Sequence, residues 1–126
     1  VAPLAEAAPF SDLDLSRLRR EAMLAAPAAQ LAVDADGRVA MVNRQAEHLL
    51  GVDDRDVGRP FQDLEISYRP VELRGAMAEA AAERRPIWLR GVERRRPGQE
   101  PTVFDVQVRP LYREDSTLLG TTIVFD

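Results

Sequence analysis

The stretch Gln30–Gly51, QLAVDADGRVAMVNRQAEHLLG, decides the fold of this chain. Leu31 and Val33 begin a short apolar strand, and the turn residues 34–37 (DADG) end in a glycine that can adopt positive φ. Residues 38–42 are mostly apolar and β-branched, which favours a second strand. The stretch therefore begins with a β-hairpin.

A short helix follows the hairpin. Asn43 can cap this helix by accepting a hydrogen bond from a free backbone N–H, and Gly51 supplies a left-handed stop. Ala46, Leu49 and Leu50 give the helix an apolar stripe. The order of strand, turn, strand, capped helix and glycine indicates a fold more specifically than any one of these elements does alone.

The rest of the chain predicts a linker, two more helices and three more strands. Ser11 can cap the first of these helices and Pro27 ends it, while Pro70 suits the first position of the second. Short loops separate the late strands, so neighbouring strands are antiparallel. The ranges are residues 1–10 for the linker, 11–26 and 70–84 for the helices, and 86–94, 102–112 and 118–125 for the strands.

Alternation of side chains assigns faces to two of these strands. In residues 102–112 it places Phe104, Val106, Val108 and Pro110 on one face. In residues 86–94 it places Ile87, Leu89 and Gly91 opposite Trp88, Arg90 and Val92.

The strings D-x-D-G-R-V and N-R-Q-A-E-x-L-L-G strongly resemble the opening of a PAS sensor domain. The residue pattern alone shows five strands with helices between the second and the third. The resemblance implies the α+β PAS fold, a five-stranded antiparallel sheet in the order 2-1-5-4-3 with helices on one face and an N-terminal flanking helix. We therefore divide the chain into a linker (residues 1–10), a flanking helix (11–26) and a PAS domain (28–126).

A second resemblance is carried by residues 63–74, DLEISYRPVELR, together with LRREA (18–22), VQVRPL (106–111) and GTTIVFD (120–126). These strings are similar to PAS domains of bacterial proteins that fuse chemotaxis-type methyltransferase and methylesterase modules, often ahead of a histidine kinase. Residues 18–126 share the resemblance. Because the chain begins with Val rather than Met, we expect it to be a piece of a larger signalling protein.

Composition narrows the class of function. At 126 residues with 45% hydrophobic and 30% charged residues, the chain suits a single globular domain. Its net charge of -4 argues against nucleic acid as the main partner. No apolar run reaches the ~18–20 residues of a membrane span. With no cysteine to form disulfides, the chain fits a reducing compartment, so we expect a cytoplasmic protein without a membrane partner.

The same composition argues against cofactors and catalysis. His48 is the single histidine and there is no cysteine, so we expect no metal site. The resemblance implies that a haem ligand would lie on the long helix before the third strand, which has no histidine, and that a covalent flavin adduct would need a cysteine. Carboxylates stand in turn, cap and surface positions, and no nucleophile is placed for acyl transfer, so we expect no enzyme.

A small ligand of unknown identity remains open. The resemblance implies a cavity between the sheet and the long helix, and Tyr68 and Trp88 each carry a polar tip that could meet a ligand. The alternative is a filled core or a small cavity, which the many bulky side chains favour. The candidate lining residues are Val33, Met41, Phe61, Leu64, Tyr68, Leu73, Met77, Trp88, Phe104, Val106 and Ile123.

The flanking helix carries a narrow apolar seam formed by Leu15, Leu18, Ala22 and Ala25. The seam can pack on the domain's own sheet or meet a second copy of the chain, and we favour a homodimer through this helix and the sheet. Partners would then include the output domains of the parent protein.

Two further sites complete the prediction. Arg69 is expected to lock its loop by pairing with Asp63 or Glu65, with Glu72 close by, whereas the alternative is a surface charge network of little energetic worth. Asp126 stands where the family's signal-exit motif would begin.

Arginines near residues 84–96 are interpreted as a solvated hairpin tip rather than a nucleic-acid surface. The function we expect is sensory, by a population shift that a ligand or partner biases. The alternative function is a constitutive homodimerisation scaffold with a filled core.

Overall fold

A computed structural model describes residues 8–126, so that most of the predicted linker lies outside the described residues. Helices α1–α3 and strands β1–β5 follow one another along this part of the chain. Their bounds are α1 Asp12–Leu24, β1 Ala29–Asp34, β2 Val39–Val42, α2 Arg44–Leu50, α3 Arg74–Glu83, β3 Ile87–Arg94, β4 Thr102–Tyr112 and β5 Leu118–Phe125. Between α2 and α3 lie short 3₁₀ turns at Asp54–Asp56, Phe61–Asp63 and Glu65–Ser67.

The five strands form one antiparallel sheet in the order β2-β1-β5-β4-β3, which confirms the predicted order. The central pairing of β1 with β5 sets Leu31 opposite Ile123. This pairing joins the N-terminal hairpin to the three late strands, so the two ends of the domain meet in the middle of the sheet.

The turn of the first hairpin has the predicted chemistry. The Asp34 carboxylate accepts hydrogen bonds from the backbone N–H groups of Asp36 at 2.9 Å and Arg38 at 3.0 Å. Gly37 has φ +82, which a residue with a Cβ adopts only at a cost.

Helix α2 begins and ends as predicted, but its buried stripe is narrower. Asn43 caps it by accepting from the Ala46 N–H at 2.9 Å, and Gly51 ends it with φ +71. Ala46 and Leu50 are buried, whereas Leu49 is 38% exposed. Successive residues lie about 100° apart on a helix, so Leu49 turns away from the core as Leu50 turns toward it.

Helix α3 begins at Arg74, four residues after the predicted start at Pro70. The chain folds back before the helix because the Leu73 N–H donates to the Ser67 carbonyl at 2.9 Å. Glu72 then accepts from the Gly75 N–H at 3.0 Å and satisfies one free donor of the first turn. Local hydrogen bonding, rather than the proline, therefore sets the start of the helix.

The core lies between the inner face of the sheet and the segment from α2 to α3. Leu31, Leu73 and Ile123 are almost completely buried, each worth roughly 1.5–3 kcal/mol of transfer free energy. The rings of Phe104 and Phe125 meet edge to face with centroids 5.6 Å apart. The predicted inner face of β4 is confirmed, because Phe104, Val106, Val108 and Pro110 are all buried.

Candidate functional site

Most side chains predicted to line a ligand cavity belong to the hydrophobic core itself. They pack against one another, as in a core filled at native density. The buried members of the predicted set are Val33, Phe61, Leu64, Leu73, Phe104, Val106 and Ile123. Met77 is partly buried at the edge of this core.

The other three predicted lining residues lie elsewhere, which corrects the prediction. Trp88 is 44% exposed and pairs across strands with Gln107, whose other cross-strand partner is Val124, so all three stand on the outer face of the sheet. Met41 is half-buried beside α1, away from α3. Tyr68 is 53% exposed at the end of a 3₁₀ turn. None of the three meets the inner face.

A β-bulge in β3 explains a second error in the predicted faces. Arg90 and Gly91 together oppose Asp105, which accepts from the Gly91 N–H and from the Arg90 guanidinium, each at 3.0 Å. The extra residue returns Val92 to the buried face, away from the face of Trp88. The two donors lower the pKa of Asp105, the Gly91 N–H having the larger effect.

The Arg90 guanidinium also lies over the ring of Trp88, with its central carbon 4.3 Å from the ring centroid. This contact is a cation–π interaction on an exposed surface. Trp88, Arg90 and Asp105 therefore form one ordered cluster on the outer face of the sheet.

A small open cleft lies between the β1–β2 turn and the first turn of α3. We call it the Met77 cleft; its volume is about 250 Å³. Its apolar floor is formed by Val33, Phe61 and Met77, and the residues at its rim include Asp36, Gln62 and Arg74. Pockets for drug-sized ligands are larger, ~300–1,000 Å³, so the cleft suits a small molecule or one end of a larger one.

The predicted lock around Arg69 does not form as an ion pair. Arg69 is exposed, and within residues 8–126 no ion pair joins it to Asp63, Glu65 or Glu72. Its guanidinium carbon lies 5.9 Å from the ring centroid of Tyr68. Backbone hydrogen bonds fix the loop instead, such as that from the Arg69 N–H to the Glu65 carbonyl at 2.9 Å.

Ser67 completes this loop from the inside. It is 1% exposed, and its hydroxyl donates to the Leu64 carbonyl at 2.8 Å. Serine side chains often bond nearby backbone carbonyls in turns, so Ser67 was the sequence signal for this bond, but the prediction for this loop used only its charged residues.

Two arginines from the end of β3 and the loop after it clamp the end of α2. The Arg94 guanidinium donates to the carbonyls of Leu49 and Leu50, and that of Arg96 donates to Leu49 at 2.7 Å. Cations here satisfy the free carbonyls of a helix C-terminus. Burial lowers the pKa of Arg94. These arginines were predicted to be solvated; Arg95 follows that prediction in an exposed pair with Glu93.

An open cleft of about 670 Å³ lies beside this clamp. The charged side chains that line it are of both signs, Asp56, Glu65 and Glu93 against Arg69, Arg94 and Arg95. These charges balance in number, so the lining as a whole carries no net charge.

Helix α1 buries none of its side chains. Of the seam residues, Leu15 is half-buried, Leu18 is 57% exposed, and Ala22 and Ala25 are exposed. The interpretation that the seam packs on the domain's own sheet is therefore wrong for a single chain. One ion pair connects the helix to the domain, from Arg44 to Glu21 at 3.6 Å.

At the other end of the chain, Asp126 pairs with the middle of β4. Its N–H donates to the Asp105 carbonyl and its carbonyl accepts from the Asp105 N–H, both at 3.0 Å. The chain therefore leaves the sheet next to the cluster of Trp88, Arg90 and Asp105. Its role as a signal exit stays a prediction.

The described residues 8–126 contain neither a grouped metal-ligand set nor a membrane-spanning helix. Within this range no three His, Asp or Glu side chains are grouped so that they could hold a metal ion. None of its helices combines the length and apolar character needed to cross a bilayer.

Comparison with known proteins agrees with the fold. A family model described as PAS fold matches residues 25–126. No similar sequence was found among curated proteins. The PAS domain of the histidine kinase ThkA superposes with a TM-score of 0.63 at 23% identity, covering 79% of this chain and 97% of that one.

Two other solved structures are similar. A PAS domain from Colwellia psychrerythraea gives a TM-score of 0.67 at 16% identity over 90% of this chain and 96% of its own. A sensory box sensor histidine kinase from Vibrio cholerae gives 0.61 at 16% identity over 90% and 92%. At these identities the structures show the fold alone.

Proposed function

Because the chain belongs to the PAS family, we propose that it is a non-catalytic sensory domain of a cytoplasmic bacterial signalling protein. The solved domains of ThkA and of the Vibrio cholerae protein, both from histidine kinases, support a role in two-component signalling. The DLEISYRPVELR resemblance supports a parent protein that also carries chemotaxis-type methyltransferase and methylesterase modules.

One observation carries this proposal: α1 is a formed helix with no buried side chain. Isolated helices shorter than ~12–15 residues are marginal in water, so a 13-residue helix gains stability from a partner. The seam of Leu15, Leu18, Ala22 and Ala25 is the surface that a second copy of the chain would cover. The outer face of the sheet, where Trp88 is exposed, would be a second part of the proposed homodimer surface.

The relay follows from this arrangement. Two packings of the α1 pair would differ by a small free energy, and a ligand or neighbouring module that prefers one of them shifts the population. The change would reach an output module through the residues after Asp126. Because β5 pairs with β1, a shift at the α1 end of β1 passes directly to the strand that leads out of the domain.

The proposed ligand site is the Met77 cleft rather than an interior cavity. Its apolar floor and the guanidinium of Arg74 suit a small molecule with an apolar part and a polar end. We propose neither haem nor a covalent flavin adduct, since the chain has no cysteine and its one histidine, His48, is exposed on α2.

A second function is favoured by the filled core. If the side chains of the inner face leave no room for a ligand, the domain is a constitutive homodimerisation scaffold that holds two parent proteins in register. Native mass spectrometry separates the two functions, because a sensor retains a small molecule that a scaffold lacks.

The experiment compares the wild-type chain with Met77→Trp, which fills the cleft, and with Met77→Leu, which conserves its volume. The sensory function predicts a mass adduct in the wild type and in Met77→Leu that is lost in Met77→Trp. A bare dimer mass in all three chains, after addition of a metabolite extract, supports the scaffold.

A further inference from the structure

Asn43 is the most completely bonded polar side chain at the junction between α1 and the sheet. It is fully buried, and its side-chain oxygen accepts from the N–H groups of Gln30 and Ala46, each at 2.9 Å. Its side-chain amide donates to the carbonyl of Ala28 at 2.8 Å. Its own backbone N–H donates to the Gln30 carbonyl at 3.0 Å.

These bonds have different consequences. The bond to the Ala46 N–H caps α2, and the bonds to Gln30 fix the start of β1. The bond to Ala28 is not needed for either element, since Ala28 lies in the segment that joins α1 to β1. Asn43 therefore holds the connecting segment against the folded domain.

Arg44, the next residue, contacts α1 directly. Arg44 pairs with Glu21 on the last two turns of α1 at 3.6 Å, although both side chains are largely exposed. Beyond this pair, an open cleft of about 560 Å³, lined by Arg20 and Leu24 of α1, separates the helix from β2 and α2. The helix thus meets the domain through few contacts, and its ion pair with Arg44 lies in its C-terminal half.

We propose that Asn43 and Arg44 form a joint that sets the direction of α1 relative to the sheet. Asn43 fixes the connecting segment through Ala28, and Arg44 selects one orientation of the helix through Glu21. Asn43 is a positioning residue in this proposal: it touches no ligand, and its effect on the dimer seam is transmitted through residues 25–29. The joint deepens the proposed relay, which depends on the direction of α1.

The chain has no native cysteine, which allows a direct measurement of helix direction. Spin labels at Ser16→Cys on α1 and Glu79→Cys on α3, both exposed positions, report one distance across the joint. Diluting the labelled chain into an excess of unlabelled chain keeps the measured pair within one molecule. The measurement needs neither a ligand nor an output domain, so it fails or succeeds separately from the sensory function.

The test variants remove the bond to Ala28 and keep the helix cap. Asn43→Asp retains both acceptor contacts but loses the donor to Ala28, and Asn43→Ser retains the cap. Arg44→Glu breaks the ion pair with Glu21, and the swap Arg44→Glu with Glu21→Arg restores it. Arg55→Ala, which removes an exposed ion pair with Asp53 that does not involve α1, is the control for Arg44.

The proposal predicts a broader and shifted Ser16–Glu79 distance distribution in Asn43→Asp and Asn43→Ser, with cooperative thermal unfolding retained. Arg44→Glu broadens it as well, the swap narrows it again, and Arg55→Ala leaves it unchanged. A folded Asn43 variant with the wild-type distribution overturns the proposal. Failure of both Asn43 variants to fold also overturns it, because Asn43 would then be part of the core rather than a separable joint.

Discussion

Gly120 approaches Val33 so closely that a Cβ built on Gly120 would lie 2.5 Å from the Val33 carbonyl oxygen. The two residues stand on β5 and β1, the strands whose pairing joins the N-terminal hairpin to the rest of the sheet. Only a residue without a side chain allows this approach, so the centre of the sheet depends on a glycine that sequence alone does not distinguish from a turn residue.

Replacing Gly120 with Ala should therefore destabilise the domain. The added methyl group meets backbone rather than a movable side chain, so we expect the free energy of unfolding to fall by about 1–3 kcal/mol. Urea unfolding followed by circular dichroism measures it. The control is Gly75→Ala, where a Cβ would meet only the flexible Glu72 carboxylate at 2.8 Å. Equal effects of the two substitutions would contradict the account.

The two faces of the sheet predict different costs for removing an aromatic ring. Phe104→Ala opens the core against Phe125 and should cost about 3–5 kcal/mol of unfolding free energy. Trp88→Ala removes a larger side chain, but one on the outer face with Arg90 stacked on it. Its cost should be well below that of Phe104→Ala. Chemical denaturation at low protein concentration measures both costs. A comparable loss of unfolding free energy in the two variants would place Trp88 in the core.

Asp105 predicts a pH dependence of stability. Its pKa in the folded chain lies below the ordinary Asp value of 3.8, because the Gly91 N–H and the Arg90 guanidinium stabilise the carboxylate. The ionised group therefore stabilises the folded state above that value, and this contribution is lost as the pH falls through the folded pKa.

We expect Asp105→Asn to lower stability most at neutral pH, and the difference from wild type to shrink below about pH 4. Thermal unfolding from pH 3 to 8 measures this difference. Glu100→Gln, in the loop between β3 and β4, changes the net charge equally and serves as the control. A difference between Asp105→Asn and wild type that stays constant with pH would refute the proposed cause.

The arginine clamp on α2 predicts that neighbouring arginines differ in effect. Arg94→Ala removes a donor from each of the carbonyls of Leu49 and Leu50, and Arg96→Ala removes one of the two donors to Leu49. Each substitution should cost about 1 kcal/mol for each charged hydrogen-bonding partner lost. Arg95→Ala removes only an exposed pair with Glu93 and should cost less. Hydrogen exchange of the α2 amides is the measurement. Faster exchange in Arg95→Ala than in Arg94→Ala would contradict the clamp.

Local patterns predicted the elements well where one signal dominated. Alternation along β4 gave its buried face, and the turn before Arg38 and the cap at Asn43 formed as their chemistry indicated. The strand order came from the family resemblance, because pattern alone cannot order five strands.

Two of the failures share one cause, a contact distant in sequence, whereas the third has a local cause. The bulge at Arg90 and Gly91 is fixed by Asp105 on another strand, and it returned Val92 to the buried face, away from the face of Trp88 on which it was predicted to lie. The Arg94 clamp reaches back to α2 across more than forty residues. The start of α3 was misplaced because Ser67 holds Leu73 in the preceding loop.

The exposed seam of α1 is the feature on which the proposed function depends, and the oligomeric state tests it most directly. Sedimentation equilibrium should show a dimer for the wild-type chain and a folded monomer for Leu18→Glu, which puts a charge in the seam. Leu13→Glu is the matched control, since Leu13 is 83% exposed on the other side of the same helix. It should remain dimeric. A wild-type chain that stays monomeric up to its solubility limit, or a dimer that Leu18→Glu leaves intact, would contradict the account.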